Sequence, residues 1–92
     1  MRTEYVEVRA LASPLAHPRV GLIVPRHRQT AVNRNRLKRR LREIIRVHWL
    51  RRVPPLDVVV RVRPVAYRAS FEALESDLRA LEPALQRLGP GS

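Results

Sequence analysis
The stretch from Ala31 to Arg46, AVNRNRLKRRLREIIR, constrains the rest of the chain more than any other. Placed on a helix at about 100° per residue, Leu37, Leu41, Ile44 and Ile45 share one side, while Asn35, Arg39, Arg42 and Arg46 form a stripe on the other. Arg36 and Arg40 flank the apolar side on one shoulder and Lys38 on the other, and Arg34 projects toward the apolar side, where it can tie down the helix start. A fold that holds this helix must cover its aliphatic underside and leave guanidinium groups in solvent. An ordinary surface helix mixes signs. Between Arg26 and Arg52, however, stand eleven cations and a single acid, Glu43, which no i,i+4 pairing can balance. The pattern predicts a helix that binds a polyanion.

The whole chain shares that bias. Its 92 residues carry a net charge of +11, and every one of the 19 cations except Lys38 is arginine, the side chain best suited to phosphate and to stacking on bases. A compact state with this charge repels itself at low salt, and nucleic acid is the commonest partner that relieves the repulsion. Cysteine is absent, so disulfides, thiolate metal sites and thiol redox chemistry are excluded. No apolar run approaches the ~20 residues of a membrane span. The N-terminus, with Glu4 and Glu7 among its apolar residues, does not read as a signal peptide, and a cytoplasmic location is expected.

In chain order, Thr3 to Leu11 alternates and predicts a half-buried strand, with Val6, Val8 and Ala10 on one face. Two prolines make the segment from Ala12 to Pro18 a loop. RVGLIV at 19–24 reads as a second strand with both faces covered, paired with the first as an antiparallel hairpin. Pro25 ends it. The basic connection PRHRQT follows, with Arg26, His27 and Arg28 as further candidates for RNA contact and Thr30 as the helix cap. The helix runs to Trp49 or Leu50 and stops at Pro54-Pro55. Leu56 to Val62, whose DVVVRV is β-branched and mostly apolar, predicts a third strand. Ser70 caps a second helix with Phe71, Leu74, Leu78 and Leu81 near one face, ended or kinked at Glu82 by Pro83, with Leu85 and Leu88 able to continue the face in a last turn; it holds four of the chain's eight acids. Residues 1–88 read as one domain and 89–92, GPGS, as a flexible tail or cloning remnant.

No catalytic constellation emerges. His17, His27 and His48 lack a metal-ligand spacing, Asp57 and Glu43 are single carboxylates, and Gly21 is isolated rather than part of a phosphate cradle. His48 falls beside the Leu37 and Leu41 face and reads as a packing residue. These residues bind; they do not cut.

Arg34-Asn35-Arg36, followed by Lys38-Arg39 and Arg42-Glu43, resembles the signature of the protein subunit of bacterial ribonuclease P. RVGLIV is similar to that family's strand before the helix, DVVVRVRP at 57–64 to the strand after it, and SFEALESDLRALE at 70–82 to its closing helix. The resemblance implies an α/β (α+β) sandwich of about three to four strands with helices, like the second domain of ribosomal protein S5, with a left-handed βαβ crossover where the general rule favours the right hand. It implies a subunit that leaves hydrolysis to a large catalytic RNA using Mg²⁺ to remove the 5′ leader of precursor tRNA, joined as one protein to one RNA. Arg34, Asn35, Arg36, Lys38, Arg39 and Arg42 would then face that RNA, with Arg46, Arg26 and Arg28 beside them. Tyr5 is similar in position to an aromatic of the family's leader-binding cleft. Only four residues precede Tyr5 where the family has a basic segment and a short helix, and Pro25 and Gln29 replace residues that are usually Ser or Lys, and Gly. These departures bear on leader contact rather than on contact with the catalytic RNA. Two other readings remain: a structural or ribosomal-type RNA-binding protein without a part in tRNA maturation, and a DNA-binding regulator. The second is disfavoured, because the stripe has few side chains suited to base edges and no helix precedes it closely.

Overall fold
The computed structural model describes residues 1–88; the GPGS stretch lies outside the described residues. The elements follow in the order β1 (Val6–Ala12), β2 (Arg19–Ile23), α1 (Ala31–His48), β3 (Leu56–Val62), a 3₁₀ turn (Pro64–Arg68) and α2 (Phe71–Arg87). Three strands and two helices make the mixed α/β fold that the sequence predicts.

The hairpin does not form. β3 lies between the first two strands, antiparallel to β1, with Val6 opposite Val62 and Ala12 opposite Leu56, and parallel to β2, with Arg19 opposite Asp57 and Ile23 opposite Arg61. β3 is the most β-branched segment, and the centre is the only position where both of its edges are paired. Leu56, Val58, Val60 and Val62 are all buried there. β2 is left at an edge, and none of its five residues is fully buried, which corrects the expectation that both of its faces are covered. The first strand starts later than predicted because Arg2 folds back to bridge Glu7 and the Thr3 N–H donates to Val6 O at 2.8 Å.

α1 begins where Thr30 Oγ1 accepts the Asn33 N–H at 3.1 Å, and α2 begins where Ser70 Oγ accepts the Ala73 N–H at 3.1 Å. Both caps satisfy orphan donors of the first turn. Leu37, Leu41, Ile44 and Ile45 are buried as the wheel predicts, and Leu74, Leu78, Leu81 and Leu85 form the matching face of α2. Of the two outcomes open at Pro83, the helix continues: α2 runs through the proline to Arg87. The proline removes one backbone hydrogen bond. Pro83 itself is exposed, and the burial of Leu81 and Leu85 on either side holds the last turn in place. Trp49, at the end of α1, is fully buried and its Nε1 donates to Leu78 O at 2.9 Å. His48 is largely buried with Nε2 3.0 Å from Glu75 Oε2, so it joins the two helices, as a packing residue should.

Candidate RNA-binding surface
Because the four aliphatic residues of α1 are turned into the core, the opposite stripe is fixed outward. Asn35, Arg36, Arg39, Arg40, Arg42 and Arg46 are exposed and Lys38 is half-buried. Asn35, Lys38, Arg39, Arg42, Glu43 and Arg46 line a shallow hollow of about 440 Å³. The structure thus brings five of the predicted residues, Asn35, Lys38, Arg39, Arg42 and Arg46, to one concave strip, with Arg36 on its shoulder.

Two members of the set are held differently. Arg34 is half-buried and its Nε donates to Val24 O at 2.7 Å, tying the helix start to the end of β2. Arg46 is paired with the lone acid of the region: Glu43 accepts from its guanidinium at 2.6 and 3.3 Å. The hydrogen bond from Arg46, with a smaller contribution from its charge, holds the Glu43 carboxyl below the ordinary carboxylate value. A carboxyl with a depressed folded value keeps its pairing above its unfolded value and loses it as pH falls through the lower, folded one. Acidification through that range frees Arg46, which a carboxylate-detected NMR titration of Glu43 would show. Glu43→Gln frees Arg46 at neutral pH, and the expected result is tighter RNA binding with a log–log salt slope steeper by up to about one.

The connection before α1 is strained. Gln29 N–H donates to Arg26 O at 2.8 Å, closing a tight turn whose central residues, His27 at φ 46° and Arg28 at φ 67°, are both left-handed. Turns of this type favour Gly and Asn, and β-carbon-bearing residues there cost about 1–2 kcal/mol each. Arg26, His27 and Arg28 are all exposed beside the first turn of α1. Tyr67, from the 3₁₀ turn, braces this connection with a 2.7 Å hydrogen bond to Pro25 O. Burial raises the Tyr67 hydroxyl above the ordinary phenol value, against the opposing charges of Arg34 and Arg26. Replacing Arg28 with Gly is expected to raise stability by about 0.5–1 kcal/mol in a urea melt while flattening the salt slope of RNA binding by about one.

A second surface was only partly legible. On the open face of the sheet, Glu7, Arg9, Ile23, Val59 and Arg61 meet in a pocket of about 220 Å³. Alternation places Glu7 and Arg9 outward, but only the register of β3 between β1 and β2 brings Arg61, Val59 and Ile23 beside them. Gly21 stands opposite Val59, and a Cβ there would meet nothing within 4 Å. Tyr5, at the margin of β1, is half-buried and packs against the core, leaving part of its surface exposed.

Asp57, single in the sequence, is ion-paired: Arg19 Nε and one terminal guanidinium nitrogen each lie 2.8 Å from its carboxylate oxygens. Among the described residues no group of three or more His, Asp or Glu side chains comes together as a metal site, and no helix is long and apolar enough to cross a membrane. A family profile described as Ribonuclease P matches residues 1–88. The chain belongs to the ribonuclease P protein family. It is 39% identical over 82 residues to the ribonuclease P protein component of Syntrophobacter fumaroxidans, covering 88% of this chain and 69% of that one. It is 43% identical over 63 residues to the corresponding protein of Brucella suis, of which it covers 45%. The ribonuclease P protein of Thermotoga maritima, solved with 1-(4-fluorophenyl)-2-thiourea, superposes with a TM-score of 0.80 at 32% identity, covering 95% of this chain and 82% of that one. The chain therefore spans from under half to about seven-tenths of the length of these two curated relatives. The sandwich in which the basic helix sits is the family's own.

Proposed function
We propose that this chain is the protein partner of a ribonuclease P RNA and assists Mg²⁺-dependent removal of the 5′ leader from precursor tRNA in the cytoplasm, one protein to one RNA. The observation that carries this reading is the strip of Asn35, Lys38, Arg39 and Arg42 in a chain that belongs to the ribonuclease P protein family. Asn35, Arg36, Arg39 and Arg42 are exposed, and the side chain of none of them makes a hydrogen bond or ion pair to another described residue. They are presented rather than used internally. A row of guanidinium groups along a rigid helix matches the phosphates of a folded RNA, and Arg offers each phosphate a two-pronged hydrogen bond. Arg26 and Arg28 extend the row at the helix start, and Arg46 joins it when Glu43 releases it.

The protein's own residues do binding and positioning. Its carboxylates are dispersed or ion-paired, so the metal belongs in this proposal to RNA and substrate, and hydrolysis to the RNA. The open sheet face, with Arg9 and Arg61 around Ile23 and Val59 and with Tyr5 at its margin, is the surface we assign to the single-stranded leader, where cations meet phosphates and apolar side chains meet bases. The deciding experiment is leader removal from a precursor tRNA by the cognate RNA at limiting Mg²⁺, with and without the protein. Stimulation supports the assignment. Tight RNA binding with unchanged cleavage would favour the structural RNA-binding alternative.

A further inference from the structure
β2 poses a question that the α1 stripe does not answer. Its sequence, RVGLI, is mostly apolar, yet none of its residues is fully buried: Val20 and Leu22 are partly buried against the core, Ile23 is exposed, and the strand's outer edge pairs with no strand among the described residues. Between that edge and the last turns of α1 runs a groove of about 630 Å³, within the range of small-ligand pockets. Val20, Leu22, Ile45 and Leu50 supply its apolar lining, the imidazole of His17 and the ring of Pro18 stand at one end, and Arg42 and Arg46 border it. The same two arginines border the hollow on the outward face of α1, so the two surfaces are continuous. Arg19, at the groove's end, is held by Asp57, which leaves Arg42 as the guanidinium placed to serve both surfaces.

Three occupants differ in their chemistry. A second copy would bring another +11 charge to a border of arginines and is repelled. An acidic peptide would satisfy the arginines but bring few flat apolar surfaces. An unpaired nucleotide offers both: a phosphate for Arg42 and a base whose faces can lie against aliphatic side chains, the Pro18 and His17 rings or the guanidinium plane. A base inside a duplex is stacked and cannot enter. We propose that the groove between β2 and the C-terminal half of α1 receives the base of an unpaired RNA nucleotide whose phosphate is held by Arg42, extending the helix interface around its edge. This rests on the reading of the partner as RNA and adds that the partner must present an unstacked nucleotide here.

The test is an amide NMR titration of the whole protein with single-stranded hexaadenylate, a short blunt RNA hairpin and hexaglutamate. Hexaadenylate is expected to move the amides of Val20, Gly21, Leu22 and Leu50 together with those of the α1 stripe. The hairpin and hexaglutamate should each move the stripe without the groove. Val20→Ser with Leu50→Ser, both at sites at least partly exposed, should weaken hexaadenylate binding about fivefold without changing the salt slope, because the lost contact is apolar. Stripe amides moving without groove amides would overturn the proposal. So would an equal groove response to the hairpin or to hexaglutamate, or groove shifts that grow with protein concentration in the absence of RNA. The RNA-partner reading fails separately, if the unmodified protein neither binds the cognate RNA preferentially nor stimulates leader removal.

Discussion
With Arg39 and Arg42 both changed to Ala, the protein should fold normally and lose most of its stimulation of leader removal at limiting Mg²⁺. Neither side chain is bonded to another described residue and both are exposed, so their removal uncovers no core, and Ala favours the helix. Loss of two charge-assisted phosphate contacts is expected to weaken RNA binding on the order of 10²-fold and to flatten the log–log salt slope by about two. The pairing of readouts is what makes the test sharp. A fall in affinity with an unchanged slope would mean that the two arginines position the helix rather than touch phosphate. Undiminished stimulation would remove the stripe from the interface and leave the open sheet face as the working surface.

The largest stability effect is expected at Trp49. This side chain is fully buried and its indole nitrogen satisfies Leu78 O, so it joins the end of α1 to the middle of α2 both by packing and by a hydrogen bond. Trp49→Ala should cost about 3–5 kcal/mol, from the cavity together with the lost indole hydrogen bond. A domain of this size has only ~5–14 kcal/mol in total. Urea unfolding should therefore show a midpoint shifted far to low denaturant, or a protein already unfolded at 37 °C. Val32→Ala, on the exposed side of the same helix, should stay within about 0.5 kcal/mol of the parent. A mild effect at Trp49 would show that the two helices are held by the aliphatic residues alone.

Periodicity made the helices legible: the four buried residues of α1, both caps and the inward turn of Arg34 follow from residue types and spacing. Strand pairing was not legible. A six-residue loop joins β1 to β2 and suggests a hairpin, but nothing local in either strand states that Leu56–Val62, more than thirty residues later, will outcompete that pairing by inserting between them. The same cause hid the second surface, since Arg9 and Arg61 become neighbours only through β3. At Pro83 residue types left open whether the helix ends or only kinks; tertiary burial of Leu85, on the face that Leu74, Leu78 and Leu81 begin, outweighs the proline's local cost. The ion pairs of Asp57 and Glu43 are close in register or on one helix, yet sequence shows neither which cation each would choose nor that Arg46 would be partly withheld from the stripe.

The central place of β3 also orders events during synthesis. Until Leu56–Val62 has emerged from the ribosome, β1 and β2 have no shared partner, whereas α1, capped by Thr30, is complete in sequence and already carries its arginines. Helices form from local contacts and sheets of this topology wait for distant ones. The nascent chain thus exposes a basic amphipathic helix, its aliphatic side still uncovered, beside the most concentrated RNA in the cell. Closure of the sheet is then also the step that confines those arginines to a single outward strip.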